Sequence, residues 1–268
     1  MSSNRFNKIL VIDSIPEGEI NTAKRLFEDI ETYADAFPDC PFPEYTRVES
    51  GDDLLEVLSQ CSELAISNDI YPMLHIECHG DEDGFQFADK SILDWPELKE
   101  PLTKLNISMK LNLMVAVAAC VGAAIVKTVT ITDRAPFWGM IGPTDTAMPN
   151  ELETPFRALY QTLISEMSPS KAIAAFENVA KEGLYWRTTV QGLFEKAWER
   201  YKSEYCTKAA LDERLKRMQQ QAPQYSKKQL KGMLQESEPK SFERFRNTFF
   251  MFDKFPENME RFSVEYKV

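Results

Sequence analysis

Histidine is scarce in this chain. Only His75 and His79 occur in 268 residues, so chemistry that needs an imidazole has two places to be built. The glycine patterns of phosphate-binding loops are missing too. Neither GxGxxG nor GxxxxGKS/T occurs, which removes the usual sequence support for nucleotide binding. No CxxC is found among the five cysteines, Cys40, Cys61, Cys78, Cys120 and Cys206. An odd number of widely spaced cysteines points to free thiols in a reducing compartment. His75, Cys78 and His79 lie close in sequence, but adjacent strand residues point to opposite faces, which argues against a shared metal. No metal and no other cofactor is expected. The longest uncharged run, residues 111–126, includes Asn112 and Gly122 and falls short of the roughly 20 residues that span a bilayer. The opening MSSNRFNKILVID lacks the pattern of a signal peptide. A cytoplasmic protein without a membrane partner is expected. An aromatic-basic motif is also missing, so nucleic acid is not an expected partner.

The chain is globular in composition and unevenly charged. Residues 1–167 carry 12 lysines and arginines against 28 aspartates and glutamates, a net charge of −16, whereas residues 168–268 carry 19 against 14, a net of +5. The acidic part favours basic partners or substrates, and the change of sign suggests two units with different surfaces. β-branched and apolar runs at residues 8–15, 45–48, 71–78, 111–119 and 137–141 read as strands. Amphipathic stretches at 19–33, 51–64, 93–105 and 151–166 read as helices, the last with a capping box from Asn150 and Glu153. Alternating strands and helices predict a doubly wound, mostly parallel α/β sheet over residues 1–167. Residues 168–268 read as helical throughout, with repeats of the pattern at 184–205, 209–220, 227–234 and 241–252 and a linker at 219–226. Phe242, Phe245, Phe249 and Phe252 recur at helical spacing and read as packing residues.

Two of the strands end in reactive side chains. HIECHG closes on His79 and Gly80, and VAVAAC closes on Cys120. In an open parallel sheet, ligands bind beyond the carboxyl ends of the strands. The hairpin, helix and strand between the two residues have the length of a right-handed crossover, so their strands should be neighbours. Such a pair can do acyl transfer: Cys120 as thiolate attacks a carbonyl carbon, and His79 passes a proton to the leaving amine. The backbone N–H groups of Gly80 and Cys120 would hold the oxyanion, with a short helix from Val121 to Val126 favouring the thiolate. Taken singly, a cysteine ending an apolar strand and a histidine at a strand end are ordinary structural residues.

At these residues the chain resembles the caspase-like cysteine peptidases, and within them the CHAT family. His75, His79-Gly80 and Ala119-Cys120 follow the family's order, and FWGMIGPTDTAMPNELETPFRALYQTLI (Phe137 to Ile164) is similar to its later strand, turn, Asp and helix. The likeness covers about residues 5–167. It implies a caspase-like sheet and a cysteine endopeptidase with His79 as general acid/base, Cys120 as nucleophile and Asp145 at the substrate's S1 pocket. Asp145, or the acidic run Asp81 to Asp83, would select Lys or Arg before the cut; the run also reads as a solvated hairpin. The resemblance further implies a protein substrate, control by a partner and a place in bacterial defence or cell death. Val117 and Ala118 depart from the small or Ser residues common in the family, and the C-terminal segment 168–268 has no counterpart there. That segment is a candidate for binding an activator or a second copy, or for extending the core. Two other readings stand beside the peptidase: a catalytically inactive caspase-like scaffold acting as an interaction module, and a different thiol enzyme on a similar sheet.

Overall fold

The computed structural model describes residues 6–266. They form two compact units. The larger comprises the chain up to residue 128 and residues 136–189, and the smaller comprises 129–135 and 190 onward.

The larger unit begins with β1 (Lys8–Asp13), α1 (Thr22–Ala34), β2 (Phe42–Arg47), α2 (Gly51–Ser67) and β3 (Pro72–Glu77). Three short strands come next: β4 (His79–Gly80), β5 (Gly84–Gln86) and β6 (Ile92–Asp94). After a 3-10 turn come α3 (Lys99–Ser108), β7 (Met114–Ala118), a 3-10 helix (Gly122–Thr128) and β8 (Gly139–Pro143). The unit closes with α4 (Pro149–Glu166), α5 (Pro169–Val179) and β9 (Tyr185–Thr189). The main sheet has the order β2-β1-β3-β7-β8-β9. All its neighbours run parallel except β8 and β9. The chain leaves β1 in one direction to form β2 and returns past it to form β3, so the strand order reverses at the β1/β3 boundary. This is the arrangement of a doubly wound sheet.

Strand composition explains this layout. Every residue of β1 and β3 is buried, as expected for strands covered on both faces. Pro43 is tolerated because β2 is an edge strand, where a missing N–H costs no ladder bond. Ile9, Val11, Met73, Ala116, Ala118 and Ile141 share one face, where they pack with Leu26 and Ile30 of α1, Phe156 and Tyr160 of α4 and Phe176 of α5. Full burial of a side chain such as Phe156 contributes about 2–3 kcal/mol.

Three sequence expectations change. Residues 185–189, read as the start of a helix, form β9, because an edge strand of aromatic and β-branched residues needs only one partner and finds it in β8. The cap of α4 lies earlier than Asn150: Pro149 occupies the first turn, and Glu151 Oε2 accepts from Met148 N at 2.9 Å.

The third change concerns the smaller unit, which contains α6 (Val190–Tyr205), α7 (Lys208–Gln221), α8 (Lys227–Phe249) and α9 (Asn258–Arg261). α8 continues through Pro239, where the sequence pattern suggests two helices. Its lost backbone bond is offset by the stripe beyond the proline, since Phe242, Phe245 and Phe249 are buried along the same helix. Phe194 meets Phe242, Phe249 and Phe250 at centroid distances of 5.2–5.4 Å. Among the described residues, no helix is long and apolar enough to cross a membrane.

Candidate active site

β3 and β7 are neighbours, and their register sets Glu77 opposite Ala118. His79 and Cys120 each lie two residues beyond that pair, so both leave the sheet at the same rim. The backbones meet there. A Cβ placed on Gly80 would lie 2.9 Å from the Cys120 carbonyl oxygen and 3.1 Å from Ala119 Cβ. Only glycine permits this approach without displacement.

The side chains have separate partners. Cys120 is half-buried. Its Sγ lies 3.5 Å from Ala147 N, which donates to it, and 3.8 Å from Ala147 O. The His79 ring is half-exposed, and its Nε2 lies 3.0 and 3.2 Å from the two carboxylate oxygens of Glu19. Among the described residues, no hydrogen bond joins the Cys120 thiol to the His79 ring. Glu19 stands in the loop after β1, at the boundary where the strand order reverses. Sequence reasoning misses it, since Glu19 reads as the first residue of the helix at 19–33, whereas α1 begins only at Thr22; the available signal is its place at the carboxyl end of a strand beside β3.

The turn after Cys120 is tighter than expected. Val121 has φ 56°, a left-handed conformation that costs a β-branched residue about 1–3 kcal/mol and persists only where its surroundings enforce it. Its N–H donates to Asp145 O at 3.2 Å, and Gly122 N–H donates to Ala119 O at 3.0 Å. The chain then enters a seven-residue 3-10 helix, Gly122–Thr128, close to the short helix expected from Val121 to Val126. Gly122 packs tightly back onto β7: a Cβ there would lie 2.5 Å from Val117 Cγ1.

Asp145 therefore reaches the site through its carbonyl. Its carboxylate is exposed and accepts from Thr146 N at 2.7 Å. Asp81, Glu82 and Asp83 are also exposed. Asp81 Oδ1 closes the β4–β5 turn by accepting from the N–H groups of Asp83 and Gly84, and the Glu82 carbonyl accepts from Lys127.

Below the rim lies a buried polar chain that the sequence does not reveal. His75 Nδ1 contacts the Tyr160 hydroxyl at 3.1 Å, and His75 Nε2 contacts Glu77 Oε2 at 3.2 Å. The Thr22 hydroxyl donates to Glu77 Oε1. Burial holds His75 down to about 3 and pushes the Glu77 carboxyl well above the usual range. The His75 ring is therefore neutral near pH 7, and burial favours the uncharged form of Glu77. Beside them, buried Asp13 accepts from Ile15 N, Asn21, Tyr45 and Arg47. Burial also raises the thiols of Cys78, well above its ordinary value, and Cys61, to about 11. Among the described residues, no group of three or more His, Cys, Asp or Glu is arranged to hold a metal ion. No family model matches the chain, and no curated protein matches it either.

Proposed function

We propose that this chain is a caspase-like cysteine endopeptidase, most similar to the CHAT family, with Cys120 as nucleophile and His79 as general acid/base. The register of β3 and β7 carries the reading, because it sends the two residues out at one rim, where the backbone of Gly80, next to His79, packs against that of Cys120. Glu19 occupies Nε2, which leaves Nδ1 as the nitrogen for proton transfer. In acylation the thiol proton passes to Nδ1, the sulfur bonds to the scissile carbonyl carbon, and the C–N bond breaks as the proton moves to the leaving amine. Water then cleaves the thioester, giving its hydrogen to Nδ1 and from there to the departing sulfur. Gly80 N–H and Cys120 N–H are the proposed oxyanion donors. Asp145, beside the nucleophile through its carbonyl, is the proposed selector for Lys or Arg before the cut. A partner protein is the proposed activator.

A peptide library exposed to the wild type, Cys120→Ala and His79→Ala tests this. Cleavage after Lys or Arg that both variants lose is the expected result. Cleavage that survives Cys120→Ala removes the nucleophile, and a preference for Asp or a bulky apolar residue before the cut removes the Asp145 assignment. One observation favours a second reading, an inactive scaffold with the same fold: the thiol is bonded to Ala147 and not to His79. A Cys120 that stays unmodified by an electrophilic peptide probe would favour the scaffold.

A further inference from the structure

We infer that Glu19 is a positioning residue for His79, completing a Cys120–His79–Glu19 relay across three adjacent strand ends. This rests on the dyad reading above and goes beyond it by naming the group that fixes the imidazole. Both carboxylate oxygens lie within 3.2 Å of Nε2. The contact spans the β1/β3 boundary, so the ring of a residue just past β3 is held from the loop after β1.

A carboxylate at Nε2 has two consequences. It accepts the Nε2 proton and so selects the neutral tautomer with Nδ1 unprotonated, the form able to take a thiol proton. It also places a negative charge beside the imidazolium that forms once that proton has moved. The imidazole has no other partner among the described residues, so without Glu19 its tautomer and rotation are set by solvent. Because the pair is half-exposed, its effect should weaken with salt.

The test reads Cys120 itself and does not depend on the substrate. The rate of Cys120 alkylation by iodoacetamide is followed by peptide mass spectrometry at pH 7 in the full chain, for wild type, Glu19→Ala, Glu19→Gln and His79→Ala. In parallel, ring 15N shifts report the tautomer of His79, one of only two histidines and the half-exposed one. Expected are the Nε2–H tautomer in wild type, loss of that preference in Glu19→Ala, and a fall of about tenfold in alkylation rate for Glu19→Ala. Glu19→Gln keeps an acceptor without charge, so it should retain the tautomer but react at an intermediate rate. A His79→Ala protein that alkylates like wild type overturns the dyad reading. A slowed His79→Ala beside a Glu19→Ala that matches wild type in rate and tautomer overturns the role of Glu19 alone. The 15N spectrum also shows whether each variant is folded, through the buried His75 signal.

Discussion

His75 and His79 are four residues apart and occupy opposite environments. His75 is sealed beneath α1 and α4, fully buried and held neutral. Its two ring nitrogens are both committed, to Tyr160 and Glu77. The side chain of His79 is 45% exposed at the rim and uses one nitrogen, with no partner for the other among the described residues. The same contrast separates Cys78, buried and with its thiol pushed up, from half-buried Cys120. Residue type supplies the chemical possibility, while water access and the number of unused lone pairs decide whether it can be used.

The largest expected effect is on peptide cleavage. Cys120→Ala and His79→Ala should each lower kcat/KM by about a thousandfold or more, while the folded fraction of His75→Gln keeps wild-type activity. Equal losses at both histidines, measured on protein shown to be folded by circular dichroism, would break the contrast. Thiol labelling comes next. In native protein Cys120 should alkylate about a hundredfold faster than Cys78 or Cys61, because those two react only through local opening. Comparable rates, read by mass spectrometry, would mean that the sheet interior is open.

Stability should respond in the opposite pattern to activity. Glu77→Ala leaves the buried His75 and Thr22 without their partner and should cost about 3 kcal/mol, whereas Glu19→Ala, at a half-exposed pair, should cost less than about 1 kcal/mol. Urea denaturation measures both. The pH dependence sharpens this. The folded value of His75, about 3, lies below its ordinary 6.5. Its contribution to stability is therefore complete above pH 6.5 and is lost as pH falls towards 3. Glu77 is raised above its ordinary 4.5, so its contribution is complete below pH 4.5 and is lost as pH rises towards the folded value. His75→Gln should flatten the acid side of the stability curve and Glu77→Gln the alkaline side; a curve unchanged by either variant would remove these groups as the source of the pH dependence. At Gly80→Ala the new Cβ crowds the Cys120 carbonyl. A fall of about tenfold in kcat/KM with little change in stability, about 1.4 kcal/mol in the barrier, would tie that contact to the rim rather than to the core.

Much of the sheet was legible because its signal is local. The buried runs of β1, β3 and β7 can be read from residue types alone, and the crossover rule then makes β3 and β7 neighbours. The candidate site was legible only as far as two strand ends. Glu19 is one acidic residue among many, and nothing in its own segment shows that the β1 loop reaches His79. Ala147 N–H is invisible for a similar reason, since any residue could supply that backbone group. β9 and the run of α8 through Pro239 escape a local reading because a long-range partner, β8 in one case and the buried phenylalanines in the other, outweighs the local pattern.

By itself, the sequence determined the strand faces, the crossover that makes β3 and β7 neighbours, and the short set of groups able to do thiol chemistry, because side-chain periodicity and chain length constrain these directly. The tertiary structure alone decided which histidine is sealed and which is exposed, which carboxylate holds the exposed ring, and that the thiol rests against Ala147. Those outcomes depend on contacts between segments far apart in the chain, and burial and hydrogen bonding are properties of the assembled neighbourhood rather than of any one stretch.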